Sequence, residues 1–342
     1  MIKLGIVGCG GMGNHHARAF SKLEGVKIVS VCDILKDKAT KLADELGCSA
    51  ETDFRRTIED CDAVLICTDP KCRLEIIETA AQAGRDIFCE KPIALTVQEA
   101  DKIIEVLEAS DVKFLLGYVL RFTQPYKLLR DTFSSGQLGQ LVNCWTRRYM
   151  AMDPRKTWHN FQAHSGGVAL DFGSHDIDWL MWTGGPVNRV FAQTARVREN
   201  VQSDEHTQAM LVFSAGGMGC CDVSWVDTVS ESSVGVIGTN GGLAVDRTGA
   251  VRRKLVGCPE ELMDVEASMA VDPGGKIGTK QADGSIAGTA QENESIQEHF
   301  VRCIEEDITP AISARQGRDV LEAVLAINES ARTGKAVEIG VS

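Results

Sequence analysis

Lys3-Leu4-Gly5-Ile6-Val7-Gly8-Cys9-Gly10-Gly11-Met12-Gly13 carries an apolar run into four glycines within six positions, and an amphipathic stretch over residues 12–23 follows. The run reads as a buried strand and the stretch as a helix. Gly8, Gly10 and Gly13 therefore form G-x-G-x-x-G between a strand and a helix, the context in which that pattern has a mechanism. Gly8 allows the tight turn, Gly10 lets backbone approach a pyrophosphate, and Gly13 lets the helix pack close to the strand, with Gly11 and Met12 completing the loop. Phosphates would rest on the helix N-terminus, where unpaired N–H groups and the dipole favour anions. Asp33 ends the next strand, 20 residues after Gly13 (33 − 13), the spacing of a carboxylate that accepts hydrogen bonds from adenosine ribose. A carboxylate there repels a 2′-phosphate, so the loop predicts NAD over NADP, while Lys36 nearby pulls the other way. His15 and His16 read as packing at the helix start.

Outward from the loop, apolar runs at 27–32, 63–67, 86–89 and 113–118 alternate with helically spaced stretches at 37–46, 73–83 and 97–109. Thr96 and Glu99 have the spacing of a capping box for the last of these. Alternating β and α with continuous apolar strands predicts a parallel sheet buried on both faces, an α/β dinucleotide-binding domain over residues 1–120. After a helix near 124–133 the pattern changes to strand-like segments at 141–150, 187–197, 207–213, 219–226, 233–238 and 243–247. Gly216-Gly217 and Gly241-Gly242 are placed for hairpins. One helix, around 168–182, interrupts them. Residues 121–342 therefore read as an α+β domain with an open, mainly antiparallel sheet. Two helices near 294–305 and 317–331 close the chain and are available to pack back on the first domain. Residues 272–288, rich in glycine and polar side chains, read as a mobile loop.

The chain has 342 residues, a length for two domains, with 44% hydrophobic and 25% charged residues. A net charge of −12 speaks against nucleic acid as a partner. No apolar run approaches the roughly 20 residues needed to span a bilayer. Residues 1–7 run straight into the glycine loop, which leaves no room for a signal peptide. The 12 cysteines include no C-x-x-C pair and no Cys/His cluster at zinc spacing, which predicts a reduced, cytoplasmic, metal-free protein.

Two further motifs carry chemistry. Glu90-Lys91-Pro92 follows the strand at 86–89, and strand ends in an open parallel sheet point into the ligand crevice. Pro92 restricts Lys91 to extended backbone. Gly166-Gly167-Val168-Ala169-Leu170-Asp171-Phe172-Gly173-Ser174-His175-Asp176-Ile177-Asp178 reads as a helix on which Asp171 and His175, at i and i+4, share a face, with Asp178 one turn beyond. A surface polar pair and a partial metal site are the plain alternatives for these residues.

Together the three motifs, with the closing pattern Glu294…Phe300 and Ala326…Ala331…Gly334-Lys335, resemble the Gfo/Idh/MocA family of nicotinamide-dependent sugar and polyol oxidoreductases, which includes inositol 2-dehydrogenases. The resemblance covers nearly the whole chain. It implies a Rossmann domain followed by a substrate and oligomerisation domain, and oxidation of a secondary hydroxyl of a cyclic polyol or sugar to a ketone. It implies Lys91 beside the reacting hydroxyl, Asp171 anchoring adjacent hydroxyls, and His175 as acid/base. A proton acceptor and a nearby ammonium suit the loss of hydride from a secondary alcohol. Thr68-Asp69-Pro70-Lys71-Cys72-Arg73 resembles the family's cofactor loop, which with Glu90 and Lys91 adds Thr68 to the cofactor contacts; Arg73 stands where histidine is frequent. Residues 117–122 resemble the strand leading into the second domain, making Tyr118 and Arg121 cleft candidates. Trp158 and His159, and further out Arg147, Arg148 and His164, could line the substrate side.

Two rival readings stand beside this one. Glycoside or sugar oxidation at a ring hydroxyl could serve redox-assisted glycoside cleavage, with NAD held tightly. A non-catalytic NAD-binding regulator could use the same scaffold, although Lys91 and His175 together argue against it. Val223 and Trp225 alternate along one strand and suggest an exposed apolar sheet face. With the resemblance, that predicts a homodimer or homotetramer.

Overall fold

The computed structural model describes residues 1–229, 231–263, 270–271, 277–280, 286–287 and 294–340. The chain divides into two compact units, Met1–Tyr118 with Glu294–Leu321, and Val119–Asn293 with Glu322–Ser342.

In the first unit, strands β1 (Ile2–Val7), β2 (Val26–Cys32), β3 (Ser49–Glu51), β4 (Ala63–Ile66), β5 (Asp86–Cys89) and β6 (Phe114–Leu116) alternate with helices α1 (Gly11–Phe20), α2 (Lys36–Leu46), α3 (Phe54–Glu59), α4 (Arg73–Gln82) and α5 (Val97–Glu108). All six strands are parallel, in the order β3-β2-β1-β4-β5-β6. Leu4, Ile6, Val64, Leu65, Ile66, Ile87 and Phe88 fill the central strands and are buried, each burial contributing about 1.5–3 kcal/mol. The order reverses between β1 and β4, so the loops leaving their carboxyl ends part in opposite directions and open a crevice.

The apolar pattern predicts neither β3 nor α3. β3 is a three-residue edge strand with mostly exposed side chains, so no apolar run marks it. α3 is a six-residue helix started by Asp53, which accepts the Arg55 N–H at 3.1 Å. Thr96 caps α5 as expected, accepting from Glu99 N at 3.2 Å. The helix Ile296–Glu305 opens with a capping box of Ser295 and Glu298. Its Phe300 joins Phe20 of α1 and Phe88 of β5 in a ring cluster with centroids 5.7–6.4 Å apart, within the range of favourable edge contacts.

The second unit contains α6 (Gln124–Ser134), β7 (Leu141–Tyr149), α7 (Gln162–Ser165), α8 (Gly167–Asp171), α9 (Ser174–Gly184), then β8 (Val187–Ala195), β9 (His206–Phe213), β10 (Met218–Ser224), β11 (Ser232–Gly238), β12 (Gly241–Val245), β13 (Val251–Leu255) and β14 (Glu261–Met263). One sheet takes the order β14-β13-β12-β11-β7-β10-β9-β8, with the short strand Val337–Glu338 added at the β8 edge. Only β7 and β10 run parallel. The fold is thus a Rossmann-type parallel sheet followed by a mixed, mainly antiparallel one. Of the stretch 272–288, residues 277–280 and 286–287 are short strands pairing in a small sheet with 270–271. The rest of it lies outside the described residues.

Two expectations for this unit are corrected. The helix at 168–182 is two helices, α8 and α9. At their junction Val168 O accepts from Phe172 N at 3.0 Å and also from Gly173 N, five residues on, at 2.8 Å. That wider turn separates the two helices, with Asp171 the last residue of α8 and His175 in the first turn of α9. Glycine is required there, because a Cβ at 173 would come within 2.9 Å of Ala169 O and 3.1 Å of Val223 Cγ2. The second correction concerns Val223 and Trp225, which are fully buried. Their side of the sheet is the packed one, where Val223 meets the α8–α9 junction. Among the described residues the opposite face is the uncovered one. Cross-strand register lines up Phe191, Met210, Cys220 and Trp145 in one row, and Val212, Met218, Asn143 and Ile237 in the next. Phe191, Met210, Met218 and Ile237 are exposed there.

Among the described residues no helix is long and apolar enough to cross a membrane.

Candidate functional site

The glycine loop leaves β1 and enters α1 without a side-chain cap on Gly10, so the first N–H groups of the helix remain open to a ligand. Gly8 has φ +102°, in the left-handed region that favours glycine, and a Cβ there would meet Cys67 O at 2.6 Å. A Cβ at Gly13 would collide with Gly8 O, whereas at Gly10 or Gly11 it would meet nothing within 4 Å. Helix and strand are therefore in close contact at one end of the loop, and backbone is accessible at the other. Asp33 faces this loop. Its Oδ2 accepts the Cys9 N–H and its Oδ1 the Leu35 N–H, both at 2.9 Å. The Cys9 thiol is pushed up to about 12 by burial and by the Asp33 carboxylate, so it is a neutral apolar filler at pH 7. These features fit a dinucleotide: open amides for the pyrophosphate and a carboxylate fixed at ribose distance along the sheet edge.

The loops after β4 and β5 border the same sheet edge and are tied together by Arg73, whose side chain is buried. Its Nη2 and Nε donate to Thr68 O at 2.8 and 3.2 Å, and its Nη1 donates to Glu90 O and Pro92 O. Thr68 Oγ1 is buried and has no hydrogen-bond partner among the described residues. Glu90 is buried at the foot of the Glu90-Lys91-Pro92 turn. Its Oε1 lies 2.7 Å from His16 Nε2, and its Oε2 accepts the Lys91 N–H at 3.1 Å. Burial raises the Glu90 carboxyl, but the hydrogen bond from His16, with Lys91 and Arg73 beside it, outweighs it and holds it below the ordinary carboxylate range. Lys91 itself is half-buried, and Tyr118 is fully buried at the end of the unit. His16, Gln297 and Arg73 are the residues that sequence reasoning left out of the site. The available signal was that Glu90 ends a buried strand, and a carboxylate there needs a buried partner.

In the second unit, Asp171 meets His159, with Asp171 Oδ2 3.5 Å from His159 Nε2. Thr157 Oγ1 lies 2.8 Å from His159 Nδ1, and the His159 ring stands edge-on to Trp225 at 5.8 Å. His175, in the first turn of α9, is half-buried. The arginine candidates are engaged in ion pairs, those of Arg121 and Arg148 largely buried. Arg121 forks onto Asp178, with Nε–Oδ2 at 2.9 Å and Nη2–Oδ1 at 2.6 Å, and lies 5.4 Å from the Trp182 ring. Arg148 forks onto Asp176 and reaches Phe172 O at 3.1 Å. Arg147 meets Asp222 at 2.9 Å on the uncovered sheet face. Asp178, one turn beyond His175 on α9, is fully buried and anchors the helix from within. His164 packs against the Phe161 ring. Trp158 lies in a short helical turn, its side chain outside the described residues. Among the described residues no group of three or more His, Cys, Asp or Glu is arranged to hold a metal ion.

Residues 2–118 match the oxidoreductase family with an NAD-binding Rossmann fold, and residues 126–244 match the GFO/IDH/MocA C-terminal domain. The chain is 32% identical over 226 residues to the rhizopine catabolism protein MocA of Rhizobium meliloti, an alignment covering 64% of this chain and 69% of that protein. It is 25% identical over 351 aligned positions to the scyllo-inositol 2-dehydrogenase (NAD(+)) of Bacillus subtilis, covering 99% of this chain and 97% of that protein. A levoglucosan dehydrogenase crystallised with NADH and levoglucosan superposes with a TM-score of 0.85 at 20% identity over 99% of both chains, a likeness of fold. Two family domains in order, over a glycine loop and carboxylate that fit the dinucleotide, lead to one conclusion: the chain belongs to the Gfo/Idh/MocA family of NAD-binding oxidoreductases.

Proposed function

We propose that this protein oxidises a secondary hydroxyl of a cyclic polyol or sugar to a ketone with NAD, inositols being the first substrate class. The observation that carries this is the alignment with an NAD-dependent scyllo-inositol 2-dehydrogenase over nearly the entire chain, with Lys91, Asp171 and His175 in the motifs of the family resemblance. NAD, when bound, supplies the hydride acceptor. The N–H groups of Gly10, Gly11, Met12 and Gly13 hold its pyrophosphate, Asp33 its ribose, and Thr68, Glu90 and Lys91 border its nicotinamide end. The Asp33 carboxylate disfavours a 2′-phosphate, so NAD is preferred over NADP.

The chain's own residues do the remaining work. Lys91 presents an ammonium that stabilises negative charge developing on the substrate oxygen. His175 in its neutral form takes the hydroxyl proton. Asp171 accepts hydrogen bonds from neighbouring hydroxyls, held in place by His159. Tyr118, Arg121 and Trp158 complete the substrate side, Arg121 by holding α9 through Asp178. Two or four copies assemble through the uncovered sheet face that carries Phe191, Met210, Met218 and Ile237. The protein works in the cytoplasm, where twelve reduced cysteines are at home.

A screen of NADH formation against inositols, hexoses, uronic acids and glycosides tests the reading. The expected result is turnover of an inositol, with kcat lowered on the order of 10²–10⁴-fold in His175→Ala. Oxidation should also slow as pH falls through the imidazole pKa. Absence of turnover on every class, or a His175→Ala variant with undiminished kcat, would overturn it.

A further inference from the structure

The proposed chemistry employs Lys91 but gives no part to the buried residues around its neighbour, all of which lie in the first unit. His16 Nε2 is 2.7 Å from Glu90 Oε1, and both side chains are almost completely buried. The other ring nitrogen, Nδ1, is 2.8 Å from Nε2 of Gln297 on the helix Ile296–Glu305. An amide nitrogen donates and cannot accept, so Nδ1 is the acceptor and the ring proton sits on Nε2, aimed at Glu90. The second Glu90 oxygen accepts the Lys91 N–H at 3.1 Å. On a third side, a Cβ placed on Gly117 would lie 3.0 Å from Glu90 Oε1, so only backbone fits there. The carboxylate is thus held from α1, from its own turn and by the chain after β6.

We propose that His16 is a positioning residue for Lys91: its hydrogen bond fixes the Glu90 carboxylate, and the carboxylate fixes the Lys91 peptide. Gln297 sets the tautomer that makes this possible. The kinetic consequence rests on the role given to Lys91 above; the clamp itself needs no substrate. The ionisable groups facing Glu90 are His16, with His15 edge-on beside it, Lys91 in its own turn, Arg73 from α4, and the thiols of Cys67 and Cys89. Burial favours the protonated acid, and His16 leads the groups that oppose it. Without the imidazole, burial gains ground, Glu90 takes up a proton at higher pH, and the Lys91 N–H loses its anionic acceptor.

The test compares His16→Ala and His16→Gln, with Glu90→Gln and His16→Ala/Glu90→Gln as references. Glutamine carries an N–H near the position of Nε2, so it can keep the bond. The first readout is a carboxyl NMR titration of the substrate-free protein labelled at glutamate, with Glu90→Gln assigning the resonance. The Glu90 midpoint should rise by about one unit or more in His16→Ala and stay near wild type in His16→Gln. The second readout is turnover of myo-inositol with NAD, alongside NADH binding by fluorescence. In His16→Ala kcat should fall by about 10²-fold, the scale of a misplaced catalytic group, while NADH affinity changes by less than about threefold. An added acid limb should appear in its pH profile and vanish in the double variant. His16→Gln should recover most of kcat. A folded His16→Ala with an unmoved Glu90 titration, a His16→Gln no better than His16→Ala, or equal losses in kcat and NADH affinity would overturn the proposal. If His16→Ala does not fold, His16→Gln decides alone: retained Glu90 ionisation and kcat support it, and loss of either overturns it. If wild type turns over no polyol, the oxidation reading fails by itself and the carboxyl titration still decides the clamp.

Discussion

Replacing Arg73 with methionine, which keeps the length and loses the guanidinium, isolates the tie between the loops after β4 and β5. Three backbone carbonyls lose the guanidinium, those of Thr68, Glu90 and Pro92, Glu90 keeping only the weak Cys89 thiol donor at 3.4 Å. A buried acceptor left unsatisfied costs about 1–3 kcal/mol, so three of them bound the loss at roughly 3–9 kcal/mol. Burying a guanidinium is itself unfavourable by several kcal/mol, and methionine removes that cost. The net expectation lies at the low end, about 3 kcal/mol. At roughly 2–4 °C per kcal/mol for a unit of about 150 residues, the scale of the first unit, calorimetry should show the transition of that unit lowered by about 6–12 °C. Arg73→Lys keeps the charge but offers a point rather than a fork, so it should fall between the two. Arg73→His installs the residue that the family resemblance leads one to expect and should also lie between them. NADH binding should weaken with Arg73→Met, because Thr68 and the Glu90-Lys91-Pro92 turn would no longer hold a fixed separation. A Tm within about 2 °C of wild type for Arg73→Met, with unchanged NADH affinity, would refute the reasoning and make the guanidinium a passive filler.

Gly10→Ala should leave Tm unchanged, since its Cβ meets nothing within 4 Å, yet weaken NADH binding by fluorescence; Gly13→Ala should lower both, because its Cβ collides with Gly8 O. Asp33→Asn should narrow the preference for NAD over NADP by about tenfold, equivalent to ~1.4 kcal/mol of relieved repulsion, read as the ratio of kcat/KM values. His159→Ala should raise KM for an inositol about tenfold with little change in kcat, the mark of lost substrate anchoring through Asp171. Met210→Lys together with Phe191→Lys should dissociate the assembly in sedimentation at micromolar concentration without lowering the Tm of the monomer; a wild-type monomer would end that line of reasoning.

The parallel sheet was legible because its central strands are uninterrupted apolar runs and its glycine loop has a geometric purpose at each position. β3 escaped because an edge strand of three exposed residues carries no apolar signature. The second sheet was legible as a run of strands, but not which face is packed. Val223 and Trp225 alternate as a half-exposed strand would, and only the register against β9 and the glycine at 173 show that their side is the buried one. At the candidate site, Gly8 to Gly13, Asp33 and the Glu90-Lys91-Pro92 turn stood out through position relative to strand ends. The partners that hold them did not, since His16 and Gln297 are 281 residues apart and nothing local relates them. The split between α8 and α9 escaped because a helix of constant pitch was assumed. The five-residue hydrogen bond of Gly173 leaves little trace in sequence beyond the glycine itself.

The first unit is not contiguous in the chain: residues Glu294–Leu321 belong to it as much as residues Met1–Tyr118 do. During synthesis on the ribosome, the six parallel strands emerge well before the helix that supplies Phe300 to their core and Gln297 to His16. At about 5–20 residues per second, the wait from residue 118 to residue 321 lasts roughly 10–40 s. Through that interval Phe20 and Phe88 lack their third ring, and the nascent chain must keep that apolar surface from competing partners. A fragment ending near residue 120, the natural cut for anyone isolating a cofactor-binding module, would reproduce this incomplete state permanently. A cleaner dissection joins Tyr118 to Glu294 through a short linker, so that the late segment arrives with the early one.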